Sequence, residues 1–511
     1  MQTRSYLFLV FHLLFLTRVY TQEITYHHDI KPILQKNCVH CHQAAEIGPM
    51  PLTTYEEVAP YGKMLQYVTS IKLMPPGYAD PQYNHFANEQ ALSQEEINLI
   101  EAWVSSNMKE GINSMQNLTA LIKKDPAIRA PDLVIPMKES FEQYGIYLEQ
   151  YQAFVLSTHL KEDTWIDGIE FVPGNKKIVR SAIISVETSD KFVALDAWDP
   201  RYGFNVFGGL GLVPDQPFWY TWSLQQGATY FSEGSAKFLP KNSKLILHIQ
   251  YGPTGRPLKD SSFVKLYFSK NKSNRQISTA PLINPYCLVN DSLFIPANTK
   301  KMFHASYTLP YTMEILSLTP QANLICRSWE VYAIAPGKPD PIKLLKIKDW
   351  NLNWRQTYHL TSPIVLPKGT VIHALASYDN TSDNLCNPSE QPVNIPWGPY
   401  VFNEMFFVHF EYLSEIVSGD NILLAAPTTV SQDSWPLFID IKETGSFRFV
   451  ISDAVKLTTV LDKKQLLPEG KQTIRLDISE IPNGNYLLEI FSAHDALVAR
   501  SIFVKLREKG L

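Results

Sequence analysis

Hydrophobic residues in the first part of the chain recur at helical spacing. Within residues 23–112, Ile97, Ile100 and Trp103 follow one another every three residues, which places them on one face of a helix. The four residues that begin with Ser93 have the pattern of a capping box, which starts such a helix. The pattern therefore predicts an all-α domain over residues 23–112.

From Pro131 onward the pattern changes to short β-rich runs separated by Pro, Gly and Asn turns. Typical runs are residues 244–251 and 370–376, and runs at 447–451 and 473–478 alternate apolar with polar positions. Many short strands with turn residues between them indicate β-sandwiches. The sequence thus predicts a multidomain protein in which a helical domain precedes several all-β sandwiches, the last of them a compact sandwich at 420–511.

Composition and charge narrow the class of protein. The chain has 511 residues, 45% of them hydrophobic, and its 46 basic and 50 acidic residues give a formal net charge of -4. This length predicts several domains. The charge balance produces no strong field, so neither nucleic acid nor an anionic membrane is an expected partner.

The amino terminus has the layout of a secretory signal peptide, which we place at residues 1–22. Arg4 precedes an apolar run at 6–16, and a polar stretch follows it. The run is shorter than the roughly 20 residues that a membrane-spanning helix needs, so no transmembrane anchor is predicted. We expect an exported protein that resides in the periplasm, on the cell surface or in the medium.

A short motif inside the helical region predicts a prosthetic group. A helix that begins with Asp29 as its cap leads to Cys38, Cys41 and His42, which have the C-x-x-C-H spacing of c-type haem attachment. One helical turn brings the two thiols to the two vinyl groups of one porphyrin edge, and the next residue's imidazole reaches the iron. A redox dithiol and half of a zinc site are the alternatives for such spacing. The prediction is a covalent haem c with His42 as its proximal ligand.

Met74 is the predicted second axial ligand. It is followed by Pro75 and Pro76, which cannot continue a helix and so hold an extended loop. The competing ligands are Met50, Met64, His85, His27 and His28. If both His42 and Met74 bind, no iron position stays open for oxygen, and one-electron transfer is the expected role.

Outside the motif, Cys287, Cys326 and Cys386 form an odd set, so the sequence allows at most one disulfide among them.

Several motifs of the β-rich region follow the haem segment in a fixed order. They are APDLVIP at 130–136, EDTW at 162–165, EFVPGN at 170–175, IQYGPTG at 249–255, DWNLNW at 349–354, YDN at 378–380 and NEM at 403–405. This order resembles bacterial proteins that fuse a cytochrome c to a copper type II, ascorbate-dependent monooxygenase module, a relative of the peptidylglycine and dopamine hydroxylases. The resemblance covers about residues 23–414 and implies two successive jelly rolls, at 131–278 and 279–414.

The resemblance also implies two copper centres, but most of the positions of their histidines hold other side chains. The substitutes are Arg180 and Ser181 for a His-His pair, Gln250 for a single His, and Gln321 and Asn323 for a His-x-His pair. Only the thioether of Met405 remains. Copper(II) prefers imidazole nitrogen, and an Arg adds a fixed positive charge, so copper is not an expected cofactor.

The other histidines of the chain do not supply an alternative set of copper ligands. His248 lies two residues before Gln250 and shares its face of a strand, while His409 shares the face of Met405 at a distance of about 13 Å for four strand residues. His304, His359 and His373 have no ligand-like spacing, so we interpret them as structural.

The stretch 476–486, with a final strand at 501–505, resembles C-terminal sorting domains of the type IX secretion pathway. Residues 420–511 are therefore either such a sorting domain or an immunoglobulin-like sandwich.

The sequence therefore predicts an exported c-type cytochrome for one-electron transfer, whose partner is a redox protein or a small electron donor or acceptor. Its degenerate monooxygenase-like scaffold serves docking or binding and is not expected to be an enzyme. The alternatives are an active copper monooxygenase that the haem supplies with electrons, and a surface binding module with a redox-sensing haem. The oligomeric state and the substrate, if any, are left open.

Overall fold

A computed structural model describes residues 23–44, 46–76, 79–89, 91–113, 129–206, 210, 212–224, 226–271, 275–398, 402–414 and 422–506. The predicted signal peptide at 1–22 lies outside these ranges. Within them, none of the helices combines the length and the apolar character that a bilayer crossing requires.

The amino-terminal unit is helical. Its elements are a π-helical turn at Tyr26–Ile30, α1 at Lys31–Asn37, α2 at Tyr55–Val58, a 3₁₀ turn at Ala59–Tyr61, α3 at Gly62–Ser70 and α4 at Gln94–Ser105. The capping box at Ser93 is confirmed, and the apolar face of α4 is buried as its spacing predicts. The prediction for Asp29 is wrong, because the first turn begins earlier, after Thr25. The Asp29 carboxylate lies inside that turn and accepts the Thr25 backbone N–H at 2.7 Å.

The next unit is a two-sheet sandwich with a continuous apolar core. Its strands are β1 Leu133–Pro136, β2 Phe141–Glu142, β3 Gln150–Ser157, β4 Thr164–Val172, β5 Val179–Glu187, β6 Phe204–Asn205, β7 Gln216–Ser223, β8 Thr229–Tyr230, β9 Ser235–Leu239, β10 Lys244–Tyr251, β11 Lys259–Asp260 and β12 Phe263–Phe268, with α5 at Lys191–Asp196. One sheet has the order β6-β3-β10-β5-β7, and β1-β12-β4-β9 form the other, with β8 beside β4. We call this unit the first sandwich.

The second sandwich has its own core. Its strands are β13 Arg275–Ile283, β14 Phe294–Ile295, β15 Thr299–Thr308, β16 Met313–Gln321, β17 Cys326–Ile334, β18 Ile342–Ile347, β19 Tyr358–Leu366, β20 Val371–Asn380, β21 Ile395–Pro396 and β22 Phe407–Ser414. One sheet has the order β15-β20-β17-β18, while β13-β22-β16-β19 continue the sheet of the first sandwich through a parallel contact between β9 and β13.

The carboxyl-terminal unit is a third sandwich, with a third apolar core. Its strands are β23 Ile422–Ala425, β24 Thr429–Val430, β25 Ser434–Ile441, β26 Gly445–Asp453, β27 Thr459–Leu467, β28 Gly470–Asp477, β29 Gly484–Phe491 and β30 Leu497–Lys505. They form the sheets β23-β25-β28 and β24-β30-β29-β26-β27. The predicted mostly-β, multidomain character of the chain is thereby confirmed, while the domain boundaries stay predictions.

A buried ion pair joins the first two sandwiches. The Lys237 ammonium on β9 contacts the Glu411 carboxylate on β22, and it also lies 3.3 Å from the Thr279 hydroxyl. The Ser317 hydroxyl donates to the same carboxylate at 2.7 Å. Burial raises the pKa of Glu411, but the attraction of Lys237 outweighs it and leaves the pKa below its usual value. The carboxylate is therefore charged and paired at neutral pH.

Candidate functional site

The three residues of the haem motif sit on one turn at the end of α1. The Cys38 N–H donates to Leu34 O at 2.8 Å, and the Cys38 carbonyl accepts N–H bonds from Cys41 at 3.1 Å and His42 at 2.9 Å. A hydrogen-bonded turn thus runs from the end of α1 through the motif and includes both cysteines and the histidine, as attachment to one porphyrin edge requires. None of the chain's cysteines, all of which lie in described ranges, forms a disulfide.

The loop after the motif holds the His42 ring in one tautomer. His42 Nδ1 lies 3.0 Å from the carbonyl oxygen of Met50. Because a carbonyl oxygen can only accept, Nδ1 carries the proton, and the lone pair of the neutral ring is on Nε2. A second partner that fixes the tautomer is the usual arrangement for an imidazole that binds a metal. The donor set therefore fits a haem iron bound through Nε2.

Backbone contacts bring that loop against the imidazole. The Leu52 N–H donates to His42 O and the Gly48 N–H to Cys41 O, each at 2.8 Å. A Cβ at Gly48 would lie 2.6 Å from Cys41 O and 2.8 Å from His42 Nδ1. Only glycine allows this close approach without movement of the loop.

The Cys38 thiol does not suit the redox-dithiol alternative. Burial, followed by the nearby Cys41 and Glu96, raises the pKa of the Cys38 thiol to about 12. A redox dithiol instead needs a first cysteine whose pKa is lowered, because the thiolate is the nucleophile. In the described part of the chain, no cluster of three or more His, Cys, Asp or Glu side chains is placed to bind a metal ion.

Met50 is poorly placed for the second axial position. Its carbonyl contacts Nδ1 of His42, so its backbone lies on the side of the imidazole opposite the iron-binding nitrogen. Its side chain packs on the helical core.

The histidine competitors all contact carboxylates. His85 lies 2.9 Å from Glu89, and His28 lies 2.9 Å from Asp29. His27 lies 3.4 Å from Glu110. Met64 and Met74 remain as the candidates of the described chain without such contacts to a carboxylate.

Met74 lies in a loop that leaves α3. The Leu73 and Met74 N–H groups both donate to Val68 O, at 2.8 and 3.1 Å. Pro75 is buried and Met74 is half-buried. The loop therefore has a fixed start, as a rigid thioether ligand requires.

The substituted copper positions of the first sandwich form a hydrogen-bonded network. The Ser181 hydroxyl donates to Gln250 Oε1 at 2.9 Å, and Gln250 Nε2 donates to the Glu149 carboxylate at 2.6 Å. Arg180 lies 3.6 Å from the other oxygen of Glu149. The amide of Gln250 is thus fixed by polar partners, and the guanidinium of Arg180 balances the one carboxylate in the cluster.

The corresponding positions of the second sandwich are also engaged. The Asn323 side-chain amide donates to Asn403 O at 3.0 Å, and Gln321 Oε1 accepts from Arg355 at 3.4 Å. Met405 lies in the loop before β22, with its carbonyl accepting the Tyr378 hydroxyl at 2.7 Å. The prediction that Met405 and His409 share a strand face is wrong, because the strand begins only at Phe407.

Two histidines that the sequence leaves apart are neighbours in space. Nε2 of His304 on β15 lies 3.0 Å from Nδ1 of His373 on β20, and Tyr332 stacks on the His373 ring with centroids 4.9 Å apart. The two histidines are 69 residues apart, so the sequence alone did not predict their contact. Only the register of β15 and β20 brings them together. The pair is hydrogen-bonded, in agreement with a structural role.

Comparisons with known proteins assign no family. No protein-family model matches the chain, and no curated protein matches it. Among solved structures, a β-glucuronidase of Parabacteroides merdae shares 14% identity over 40% of this chain and 28% of that chain, with a TM-score of 0.13. A β-glucuronidase of Ruminococcus gnavus shares 8% over 41% and 36%, with a TM-score of 0.12. PNGF-II shares 11% over 55% and 65%, with a TM-score of 0.23. The chain spans less than two thirds of each of these structures, and likenesses this weak carry no argument about its function.

Proposed function

We propose that the protein is an exported c-type cytochrome that transfers single electrons through one haem. Cys38 and Cys41 would hold the porphyrin by thioether bonds, with His42 and Met74 as the axial ligands. A haem with both axial positions filled supplies one-electron redox chemistry and leaves no site for oxygen, and a thioether ligand raises its reduction potential. The expected partner is a redox protein or a small electron donor or acceptor.

The observation that carries this proposal is the 3.0 Å contact between His42 Nδ1 and Met50 O. It fixes the proton on Nδ1 and so provides a ring nitrogen with a lone pair, next to two thiols on the same helical turn. A dithiol enzyme does not need this arrangement at the histidine, whereas an imidazole that binds a metal commonly has it. The C-x-x-C-H spacing beside it favours haem c over a zinc site.

Exposed apolar side chains on α3 and in the loop that follows it give further support. Met64, Tyr67, Ile71 and Leu73 are 49%, 62%, 52% and 55% exposed. On α3, Met64 and Tyr67 lie opposite the buried face of the helix. A porphyrin is a large apolar group that needs apolar cover, and exposed apolar patches of this kind mark binding surfaces.

For the β-rich body, we propose a copper-free scaffold of two jelly rolls that resembles copper type II monooxygenases. The network around Gln250 supports this role, because its amide and the Arg180 charge take up the positions where imidazoles would be needed. A body of this kind presents surfaces for docking and performs no oxygen chemistry.

The test is to produce the full chain with haem-maturation machinery and to measure iron, copper and mass together. We expect one iron per chain, a mass increased by one macrocycle and colour that survives acidified organic extraction. Replacement of Cys41 by Ser should leave haem on a single thioether, while the Cys386→Ser control, at an exposed cysteine outside the motif, should change nothing. Colour that washes out would refute the haem, and about two coppers per chain would favour an active monooxygenase.

The axial ligand has its own test. Met74→Ala should lower the reduction potential and remove the sulfur-to-iron absorption band. An unchanged spectrum in this variant would indicate that Met64, and not Met74, is the second axial ligand.

A further inference from the structure

Residues 79–89 lie within the helical part of the sequence but pack on the second sandwich. We call this segment the strap. Ala79 and Phe86 are 4% and 5% exposed, and both belong to the core of the second sandwich. The Phe86 ring contacts that of Tyr358 with centroids 5.2 Å apart, and the Phe86 backbone forms an antiparallel bridge with Leu360. The strap is therefore fixed by apolar burial and not by the helical core.

One end of the strap pairs with β19. Asn88 Nδ2 donates to Thr357 O at 2.7 Å, and Asn88 Oδ1 accepts the His359 N–H at 3.1 Å. The Ala87 N–H donates to His359 O at 2.8 Å. Since β19 ends the order of its sheet, these bonds occupy backbone groups that an edge strand would otherwise expose.

The other end of the strap contacts β18, which is an edge strand of the opposite sheet. The Asp80 N–H donates to Lys346 O at 2.7 Å, and the Asp80 carboxylate lies 2.8 Å from the Lys348 ammonium. The Tyr83 ring lies 5.4 Å from the Lys346 ammonium, and the Asn84 amide donates to a carbonyl of β18 at 3.0 Å. The strap thus connects the two sheets of the second sandwich at their edges.

Met74 lies between two fixed points. On its amino-terminal side the Val68 carbonyl holds the loop, and on its carboxyl-terminal side the chain reaches the buried Ala79 after five residues. Between them, Leu73 is 55% exposed. Hydrogen bonds therefore hold the chain before Met74, and the buried Ala79 holds it after Met74.

We propose that the strap is a positioning element for the haem, with Asn88 and Asp80 as positioning residues that hold Met74 at the iron by anchoring its loop to the second sandwich. This inference rests on the proposed function, in which Met74 is the second axial ligand. It assigns the β-rich body a direct part in setting the reduction potential.

The test measures how easily another ligand displaces Met74. The full-length ferric holoprotein is titrated with imidazole, and loss of the sulfur-to-iron band reports the displacement. Asn88→Ala removes two hydrogen bonds, so the apparent imidazole affinity should rise by about 5- to 30-fold and the reduction potential should fall. Lys348→Gln, at an exposed side chain, should shift both values in the same direction by a smaller amount and serves if Asn88→Ala does not fold.

Lys176→Gln is the matched control. It breaks the 2.8 Å ion pair with Glu46, which joins the helical unit to the body outside the strap and on the His42 side of the haem motif, so it tests whether any such contact changes the imidazole affinity. Its imidazole affinity should equal that of the wild type. A wild-type protein without haem or without the sulfur-to-iron band would refute the proposed function itself. A wild type that shows the band, while both strap variants retain its imidazole affinity and potential, would refute the positioning role alone.

Discussion

Lowering the pH should destabilise the body through His409. This side chain is 5% exposed, and its ring lies 4.2 Å from that of Phe218. Burial lowers its pKa to about 3, although a hydrogen bond with the Thr319 backbone partly opposes this change. In the unfolded chain the imidazole has its usual pKa of about 6.5.

The sign and size of the effect follow from proton linkage. Between the two pKa values the unfolded state binds a proton that the folded state does not, so stability rises with pH in this window. The contribution of His409 is complete above about pH 6.5 and is lost progressively as the pH falls toward about 3. At pH 5 the loss amounts to about 2 kcal/mol, since each pH unit is worth about 1.4 kcal/mol.

The assay compares wild type with His409→Leu by urea unfolding, monitored by tryptophan fluorescence, between pH 7.5 and pH 5. The variant lacks the titrating group, so the wild type should lose about 2 kcal/mol more than the variant over this range. His85→Gln is the control, because that side chain is exposed. A difference between wild type and His409→Leu that stays constant to within about 0.5 kcal/mol would refute the reasoning.

Three further changes test other parts of the structure. Gly48→Ala should push the loop away from His42 and produce a high-spin haem fraction in the absorption spectrum, whereas Gly227→Ala, with no atom within 4 Å of its added Cβ, should not. Lys237→Met should lower the free energy of unfolding by about 3–5 kcal/mol, because it leaves the Glu411 carboxylate buried without its partner, and a second substitution Glu411→Leu should restore part of the loss in the same urea assay. Asn485→Ala should cost about 1–3 kcal/mol in thermal unfolding by removing a buried hydrogen-bond partner from the second sandwich, and an unchanged melting temperature would contradict that account.

Local patterns predicted the local features of this molecule. The capping box at Ser93 depends on residues three positions apart, and the strand at Lys244–Tyr251 has the bounds that its flanking turn residues indicate. The start of the first helix was wrong because Asp29 can accept a backbone N–H from within a turn as well as ahead of one. Such errors arise because the same hydrogen bond between a carboxylate and a backbone N–H can form at the start of a helix or inside its first turn.

Long-range pairings could not be predicted, because nothing in the local sequence specifies them. The strap lies inside the segment 23–112 that we assigned to the helical domain, yet Phe86 is buried in the second sandwich. Its partner Leu360 is more than 270 residues away. The same holds for the pair His304 and His373, which strand register alone brings together.

The carboxyl-terminal unit shares buried contacts with the second sandwich. Asn485 accepts a hydrogen bond from the fully buried Asn284 amide at 2.7 Å and donates to the Cys287 thiol at 3.4 Å. Ile502 belongs to the core of the second sandwich, and the Arg500 guanidinium lies 4.3 Å from the centroid of the Tyr311 ring. Buried polar groups need partners, so removal of this unit would leave the Asn284 amide with one bond fewer and would expose apolar surface. The shared buried bonds thus make this sandwich part of the body. We therefore expect a chain without residues 422–506 to be less stable than the full chain.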